Sequence, residues 1–383
     1  MNPDDEQFLA EFAARLCEAR RERRRGTFAQ REVARWILLK SELPTDFAYP
    51  YRDLLEQAPR QDWEGAVRDV IGRPRLRGGA LAIANAAYLL APDLFDVTSV
   101  LRWLNRAEIW RWLCGRPEPE TELRHLLADP ASDVQDAAGG FLAVVSEASL
   151  PEVQQALRGR ELHRFGLFLI DGQLQRRWPR GVRHLIFEPD QLECIGHQME
   201  HPTWQSQSAG LDECVWGGMF ADWHHVITLE PVPADLGVSL PRLVLVIDLD
   251  DAYDEQVGQF IRHDSEGAPL PPESELRMPP LASSHVRLAA APREAWVQDW
   301  GASNGNENLN RLGGLPVFVQ DSVHPRCVDC GHPMVHLLSL DSGLRMSAEA
   351  PNGVAWWSWG SGGVANGFWC DGCRISCWTH SCT

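Results

Sequence analysis

Two pairs of cysteines near the C-terminus constrain the fold of this chain more than any other feature. Cys327 and Cys330 form one C-x-x-C pair, Cys370 and Cys373 form a second, and 39 residues separate the two pairs. Two thiolates three positions apart can bind one side of a tetrahedral ion, and four thiolates leave no coordination position for a substrate. The spacing therefore predicts one structural Zn²⁺ per chain. The alternatives are buried free thiols or a redox-active pair.

Glycines accompany both pairs and are expected to turn backbone amides toward the sulfur atoms. Gly331 follows the first pair, and Gly372 lies inside the second. Three further candidate ligands lie just beyond the second pair, but a second ion would need a fourth ligand from elsewhere, so packing roles are favoured for them. These three are Cys377, His380 and Cys382. The scattered cysteines are expected to be buried: Cys17, Cys114, Cys194 and Cys214.

The N-terminal part of the chain has the periodicity of helices. Helical patterns run from Asp4 to Arg25, from Thr27 to Lys40 and, with breaks at prolines, from Asp62 to Gly159. The segment Asp129–Ala138 resembles a HEAT-type repeat, in which an Asp-Pro turn opens a helix. Since at least three repeats are needed for a stable array, this one segment predicts a helical domain in which HEAT-like packing is one form.

After about residue 163 the sequence is rich in Gly, Pro and Trp, and strand-like runs appear. These runs are Val226–Leu229, Leu243–Ile247, Val317–Gln320 and Val335–Leu340. The predicted fold class is therefore α+β. A helical domain over residues 1–162 is followed by a mostly antiparallel, sheet-rich domain over residues 163–383.

The charge of the chain is strongly negative and unevenly distributed. The formal net charge is −17, and residues 161–383 carry 14 basic against 28 acidic side chains, a net charge of −14. An acidic surface repels phosphate, which argues against nucleic acid as a partner and favours a protein with a basic surface. Charge that serves only solubility is the alternative.

No segment of the chain predicts an association with membranes. The N-terminus does not resemble a signal peptide, and the longest apolar stretch, Ala80–Ala91, is too short to span a bilayer. We therefore expect a cytoplasmic protein. In a reducing compartment, clustered cysteines are more often metal ligands than disulfides.

An internal echo predicts that the sheet-rich part is duplicated. His225–Glu230 resembles His336–Asp341, and Leu245–Asp251 lies where Gly367–Cys373 lies in the second copy. The first copy thus has an Asp pair where the second has cysteines, and it is expected to bind no zinc. The alternative is a Ca²⁺ or Mg²⁺ site, which lacks a regular loop spacing, at Asp248, Asp250, Asp251 and Asp254.

The same residues resemble a known family. Asn310–Gln320, Pro325–Cys330 and the step Pro333-Met334 are similar to the YwqG-like bacterial family and to the programmed cell death protein 2 family. The resemblance covers about residues 195–383. It implies a duplicated, zinc-containing module without catalysis, which acts as an immunity protein in bacteria and as a chaperone of a ribosomal protein in eukaryotes. The first copy departs from the pattern, with other residues in place of cysteines: Trp216, Asp222, Asp248 and Asp251.

Three functions follow from these observations. The first is an immunity protein that neutralises a cognate toxin, and the second is a chaperone or assembly factor for a basic protein. The third, a metal-dependent enzyme, is disfavoured because four thiolates leave no open position on the metal. The adjacent histidines His224 and His225 would point to opposite faces of a strand, so they are expected to be hydrogen-bonded rather than ligating. No catalytic residue is predicted.

Overall fold

The fold is known for a defined part of the chain. The computed structural model describes residues 30–42, 55, 58–73, 76, 78–95, 114, 118–129, 132–179, 181–192, 213–250, 258–270, 276–298, 307–319, 323–348, 355–360 and 362–382. Contacts between Cα atoms divide the chain into two compact units, Met1–Trp112 and Leu113–Thr383. The sequence-based boundary near residue 163 marks instead the change from helix to sheet, and it stays a prediction. The predicted helix Asp4–Arg25 lies outside the described residues.

The described part of the first unit is helical. Its helices are α1 (Gln30–Ser41), α2 (Arg60–Ile71) and α3 (Gly78–Leu90). In α2 the buried residues follow the spacing of one helix face: Trp63, Ala66, Val67 and Val70. They join a core to which all three helices contribute. In the part of the chain that the structure describes, no helix is both long and apolar enough to span a bilayer.

The second unit begins with three more helices. These are α4 (Pro119–Leu127), α5 (Ser132–Val145) and α6 (Leu150–Ala156). Two glycines let α5 approach its neighbours, since a Cβ on Gly139 or Gly140 would collide with the side chains of Leu157 and Phe165, respectively. The helix expected after the Asp-Pro turn is therefore present as α5. Its HEAT-like character stays a prediction, because one packed pair of helices does not establish a repeat.

The rest of the second unit is built from short strands. They are β1 (Leu167–Ile170), β2 (Gln173–Arg176), β3 (Arg183–Ile186), β4 (Glu213–Trp216), β5 (Met219–Phe220), β6 (Trp223–Leu229), β7 (Leu243–Ile247), β8 (Gln259–His263), β9 (Pro269–Leu270), β10 (Ser284–Ala290), β11 (Arg311–Leu312), β12 (Val335–Asp341), β13 (Leu344–Arg345), β14 (Trp356–Trp357), β15 (Val364–Cys370) and β16 (Ile375–Ser381). Twelve of them form one sheet, in the order β5-β6-β4-β10-β3-β11-β12-β15-β16-β8-β9, with β7 also paired to β6. Every pair in this sheet is antiparallel. The α+β class and the antiparallel sheet are thus as predicted.

Two sets of four strands in the sheet have the same pairing pattern, and they are called the first and the second copy below. The first copy comprises β3, β4, β6 and β7, and the second comprises β10, β11, β12 and β15. In each copy the third strand pairs with the second and the fourth. The first strands are exchanged, because β3 pairs with β11 and β10 pairs with β4. The second strand of each copy therefore pairs on one side with the third strand of its own copy and on the other side with the first strand of the other copy.

Equivalent positions in the two copies match the predicted echo. His225 pairs with Val246 and His336 pairs with Phe368, and a register shift follows each histidine. The Nδ1 atom of His225 donates to Gly217 O at 2.8 Å, and that of His336 donates to Gly314 O at 2.9 Å. The Nε2 atoms lie 2.8 Å and 3.1 Å from the hydroxyl oxygen three residues further along. Each histidine ring thus bonds to a glycine carbonyl and to a hydroxyl three residues further along, although Gly217 and Gly314 are offset by one position between the copies.

Three of the four predicted strands are present, and one is not. β6, β7 and β12 include the predicted runs. The run that begins at Val317 is not a strand over the described residues 317–319. The amide of Val317 donates to Asn366 Oδ1 at 3.2 Å, and Asn366 Nδ2 donates to Val317 O at 2.7 Å. A buried side-chain amide thus satisfies the backbone that a neighbouring strand would otherwise bind, so the hydrophobic pattern was misleading there.

Candidate metal centre

The first cysteine pair lies in a tight turn between residues 325 and 334. The turn is closed by three backbone bonds: Cys327 N to His332 O at 2.9 Å, Gly331 N to Cys327 O at 2.8 Å and Met334 N to Pro325 O at 3.0 Å. Gly331 has φ 72°, a left-handed conformation that glycine adopts without strain. The amide of His332 is a hydrogen-bond donor to the Cys330 sulfur. This turn presents both sulfur atoms on one side.

The second cysteine pair lies at the turn between β15 and β16. Cys370 is the last residue of β15 and pairs with Ile375 at the start of β16. The left-handed residue of this turn is Arg374, with φ 54°. Gly372 does not take this conformation, and its expected role in turning amides toward the sulfur atoms stays a prediction. In both turns the residue directly after the second cysteine takes the left-handed conformation, and here an arginine adopts it.

The two turns bring all four sulfur atoms together. The Sγ atoms of Cys327, Cys330, Cys370 and Cys373 lie within 4.8 Å of one another, and those of Cys330 and Cys370 are 3.7 Å apart. A tetrahedral Zn²⁺ with sulfur at about 2.3 Å requires sulfur atoms about 3.8 Å apart. The donor set, its number and its spacing therefore fit a four-coordinate ion that prefers thiolates. Within the described ranges this is the one group of side chains that could hold a metal.

The surroundings of the four thiols are unequal. Cys327 is buried, Cys330 is exposed, and Cys370 and Cys373 are half-buried. The hydrogen bond from His332 lowers the pKa of the Cys330 thiol, whereas burial raises the pKa of Cys370. Four thiolates so close together repel one another, so a cation is what would allow all four to ionise. The inner side of the cluster is apolar and includes Met334, Phe368 and Ile375.

Acidic residues inside the two cysteine pairs attach the centre to β8 and to the connection between β6 and β7. Asp329 accepts two hydrogen bonds from Arg262 of β8, at 2.5 Å and 2.6 Å. Asp371 accepts from the amide and the hydroxyl of Ser239, and from Trp369 Nε1 at 3.0 Å. The sequence did not predict these contacts. The aspartate inside each C-x-x-C pair indicated a polar contact, but its partner lies far away in the chain.

The weaker candidates for a second ion do not come together. Cys377 is buried in the apolar cluster beside the centre, and burial raises the pKa of its thiol. Cys377 and His380 are three residues apart on β16, so their side chains lie on opposite faces of the strand. Cys382 follows the end of the strand. Cys114 and Cys214 are buried as expected, while Cys17 and Cys194 lie outside the described residues.

The aspartates of the first copy are bound to backbone amides. Asp248 Oδ1 accepts from Asp250 N at 2.9 Å, and Asp250 Oδ2 accepts from Arg277 N at 2.7 Å. The strand register makes Asp248 the equivalent of Cys370, as the echo predicted. Asp251 and Asp254 lie outside the described residues.

The first copy has no segment that corresponds to the first cysteine turn. The second copy has a 21-residue connection between Gly314 and His336, whereas the first has only six residues between Gly218 and His225, which form a hairpin. Trp216 and Asp222 therefore do not replace cysteines, contrary to the interpretation of the sequence. Trp216 is instead a buried residue of β4, and Asp222 belongs to the hairpin. The two copies differ in the length of the connection that precedes the histidine.

The adjacent histidines are bound to the backbone and do not share a site. His224 Nε2 donates to Met278 O at 2.8 Å, and His224 Nδ1 accepts from Leu249 N at 3.1 Å. His225 makes the contacts with Gly217 and Thr228 described above. All four ring nitrogens thus have partners, as expected for structural histidines.

Comparisons of the chain with protein-family models, with curated proteins and with solved structures give no match.

Proposed function

We propose that this protein is a metal-stabilised binding protein of the bacterial immunity type, without catalytic activity. Its metal is one structural Zn²⁺ held by the four clustered cysteines. The observation that carries the proposal is the closed set of four sulfur donors within 4.8 Å. A centre filled by four thiolates joins segments of chain and leaves no position for a substrate or an activated water. A cytoplasmic location and a HEAT-like helical domain belong to the same proposal.

The charge of the second unit supports a basic protein as the partner. Residues 161–383 have a net charge of −14. Several acidic side chains of the described part are exposed and make no ion pair there: Glu161, Asp171, Glu188, Glu213, Asp222 and Glu266. A surface of this kind accelerates encounter with a partner of opposite charge and disfavours nucleic acid. A chaperone for a basic protein is the second candidate, and the same charge supports it.

An experiment on toxin neutralisation distinguishes an immunity protein from a chaperone. The product of a neighbouring gene would be expressed in a bacterial host with and without this chain, and colony survival would be counted. We expect the chain to restore survival and to co-purify with the folded gene product in a salt-sensitive complex. A gene product that remains lethal at equal expression would count against immunity. Co-purification with nascent or unfolded chains instead of a folded toxin would favour the chaperone.

A matched pair of variants tests the role of the metal in this function. Cys370→Ser removes a ligand, and Cys214→Ser replaces a buried cysteine of β4 that lies outside the cluster. Loss of protection in the first variant only would support a platform that depends on the metal. Protection by a metal-free Cys370→Ser protein would show that binding does not need the centre.

A further inference from the structure

The segment that follows β2 lies next to the start of β12, where Arg177 is held by its backbone. The amide of Arg177 donates to Gly166 O at 2.8 Å, and its carbonyl accepts from His336 N at 2.8 Å. His336 lies on β12 directly after Val335, which pairs with Trp369, the neighbour of Cys370. Two backbone bonds thus hold Arg177 where the strand after the first cysteine turn meets the strand before the second.

The side chain of Arg177 is half-buried and has no partner for its charge. Its Nε atom is buried without a hydrogen bond, and its guanidinium makes no ion pair with the residues that the structure describes. The adjacent Arg176 differs, because it pairs with Glu147 at 3.2 Å and stacks on Trp178. A half-buried cation without a counter-ion is unfavourable by itself, so the position of Arg177 calls for a negative charge nearby.

The negative charges that act on Arg177 are those of the thiolate forms of Cys370 and Cys330. Burial lowers the pKa of Arg177, and the thiolate charges of Cys370 and Cys330 act in the opposite direction. The other two cysteines, Cys327 and Cys373, act in the same way on Arg262. Arg262, however, already makes two hydrogen bonds to Asp329. Arg262 is therefore already paired with a carboxylate, whereas the Arg177 guanidinium makes no ion pair with the described residues.

We propose that Arg177 supplies the counter-charge of the four-cysteine metal centre. Four thiolates around a divalent cation carry a net double negative charge, and the centre is only partly open to solvent. A fixed positive charge lowers the cost of holding that dianion, and partial burial limits screening by salt. Arg326 and Arg374 are less suited, because both are exposed and Arg326 donates to Gly331 O. Arg177 is a positioning residue and not a ligand.

The inference rests on the proposed metal site, and metal titration of the purified full chain tests both separately. Co²⁺ would be titrated into the metal-free protein in competition with a chromophoric chelator, and the sulfur-to-metal absorption band would report binding. Arg177→Gln should weaken Co²⁺ binding about 10-fold, within the range of second-shell residues. Arg177→Lys should keep affinity near wild type, since it keeps the charge. Arg176→Gln, the neighbouring control, should not change it.

Salt dependence separates a charge effect from a packing effect. The gap between wild type and Arg177→Gln should narrow as ionic strength rises, because a charge at a partly solvated site is screened. Equal affinity of wild type and Arg177→Gln overturns the role of Arg177 while the metal site stands. If the wild-type chain binds no Co²⁺, the metal site and this inference both fail. If Arg177→Gln does not fold, Arg177→Lys decides, and a 10-fold loss in that variant overturns the role of charge.

Discussion

The sharpest prediction concerns two glycines that occupy equivalent positions in the two copies of the sheet. Gly217 N donates to Val226 O in the first copy, and Gly313 N donates to Leu337 O in the second. Their φ angles are 66° and 72°. A Cβ on Gly313 would collide with Gly181 O and lie 3.2 Å from Gly181 C, and a Cβ on Gly217 would collide with Ala282 O. Both collisions are with backbone, which cannot rotate away.

The expected cost of each alanine substitution has two parts. A left-handed alanine costs about 1–2 kcal/mol, and overpacking against a rigid neighbour adds about 1–3 kcal/mol. Gly237 isolates the first part, because it has φ 70° but a Cβ there would meet nothing within 4 Å. We therefore expect losses of about 2–5 kcal/mol for Gly313→Ala and Gly217→Ala, against about 1–2 kcal/mol for Gly237→Ala.

Urea unfolding, followed by tryptophan fluorescence, is the assay. The three variants would be compared with wild type. If the dependence of the free energy of unfolding on urea concentration is the same in all four proteins, the shift of the midpoint reports the change in the free energy of unfolding. If Gly313→Ala loses no more stability than Gly237→Ala, the argument from close backbone approach is wrong. If Gly313→Ala is costly and Gly217→Ala is not, the two copies do not share this constraint.

Three further predictions concern the metal, a buried histidine and a buried arginine. Elemental analysis should find one metal per chain, and Cys370→Ser should lose it and about 4 kcal/mol of stability, the value for closing a loop of 40 residues between the joined cysteines. Burial lowers the pKa of His336 to about 3, so the unfolded chain binds the proton more tightly. The stability that the neutral imidazole contributes is present above about pH 6.5 and is lost toward pH 3, at about 1.4 kcal/mol per pH unit. In His336→Asn the pH slope of stability should be smaller by that amount, while the lowered pKa values of His263 and His324 still contribute. Arg311 is fully buried and donates to Gln298 Oε1 and to Leu315 O, so Arg311→Met should cost about 3 kcal/mol in urea unfolding.

Each of these predictions has an outcome that contradicts it. A metal-free wild-type protein, or a Cys370→Ser protein that keeps its metal, is incompatible with the centre. A pH slope of stability that is the same with and without His336 would mean that the buried imidazole does not titrate with folding. If Arg311→Met had the same free energy of unfolding as wild type, the hydrogen bonds of the Arg311 guanidinium would add no net stability.

The sequence by itself determined those features that depend on local spacing. Two C-x-x-C pairs predicted the sulfur cluster, because a tight turn of four residues places both sulfur atoms on one side. The histidine echo predicted the register that makes Asp248 equivalent to Cys370, since an extended chain repeats its contacts at a fixed period. Continuous apolar runs predicted β6 and β7, and both are buried along their whole length.

Only the tertiary structure decided which distant segments meet. The exchange of β3 and β10 between the copies, and the backbone bond between His336 and Arg177, join residues that no local pattern connects. The run at Val317 shows the same limit, because a side-chain amide from β15 took the place of a strand. Pairing between strands is selected by the packing of the whole sheet, whereas a hydrophobic run predicts only that its residues will be buried.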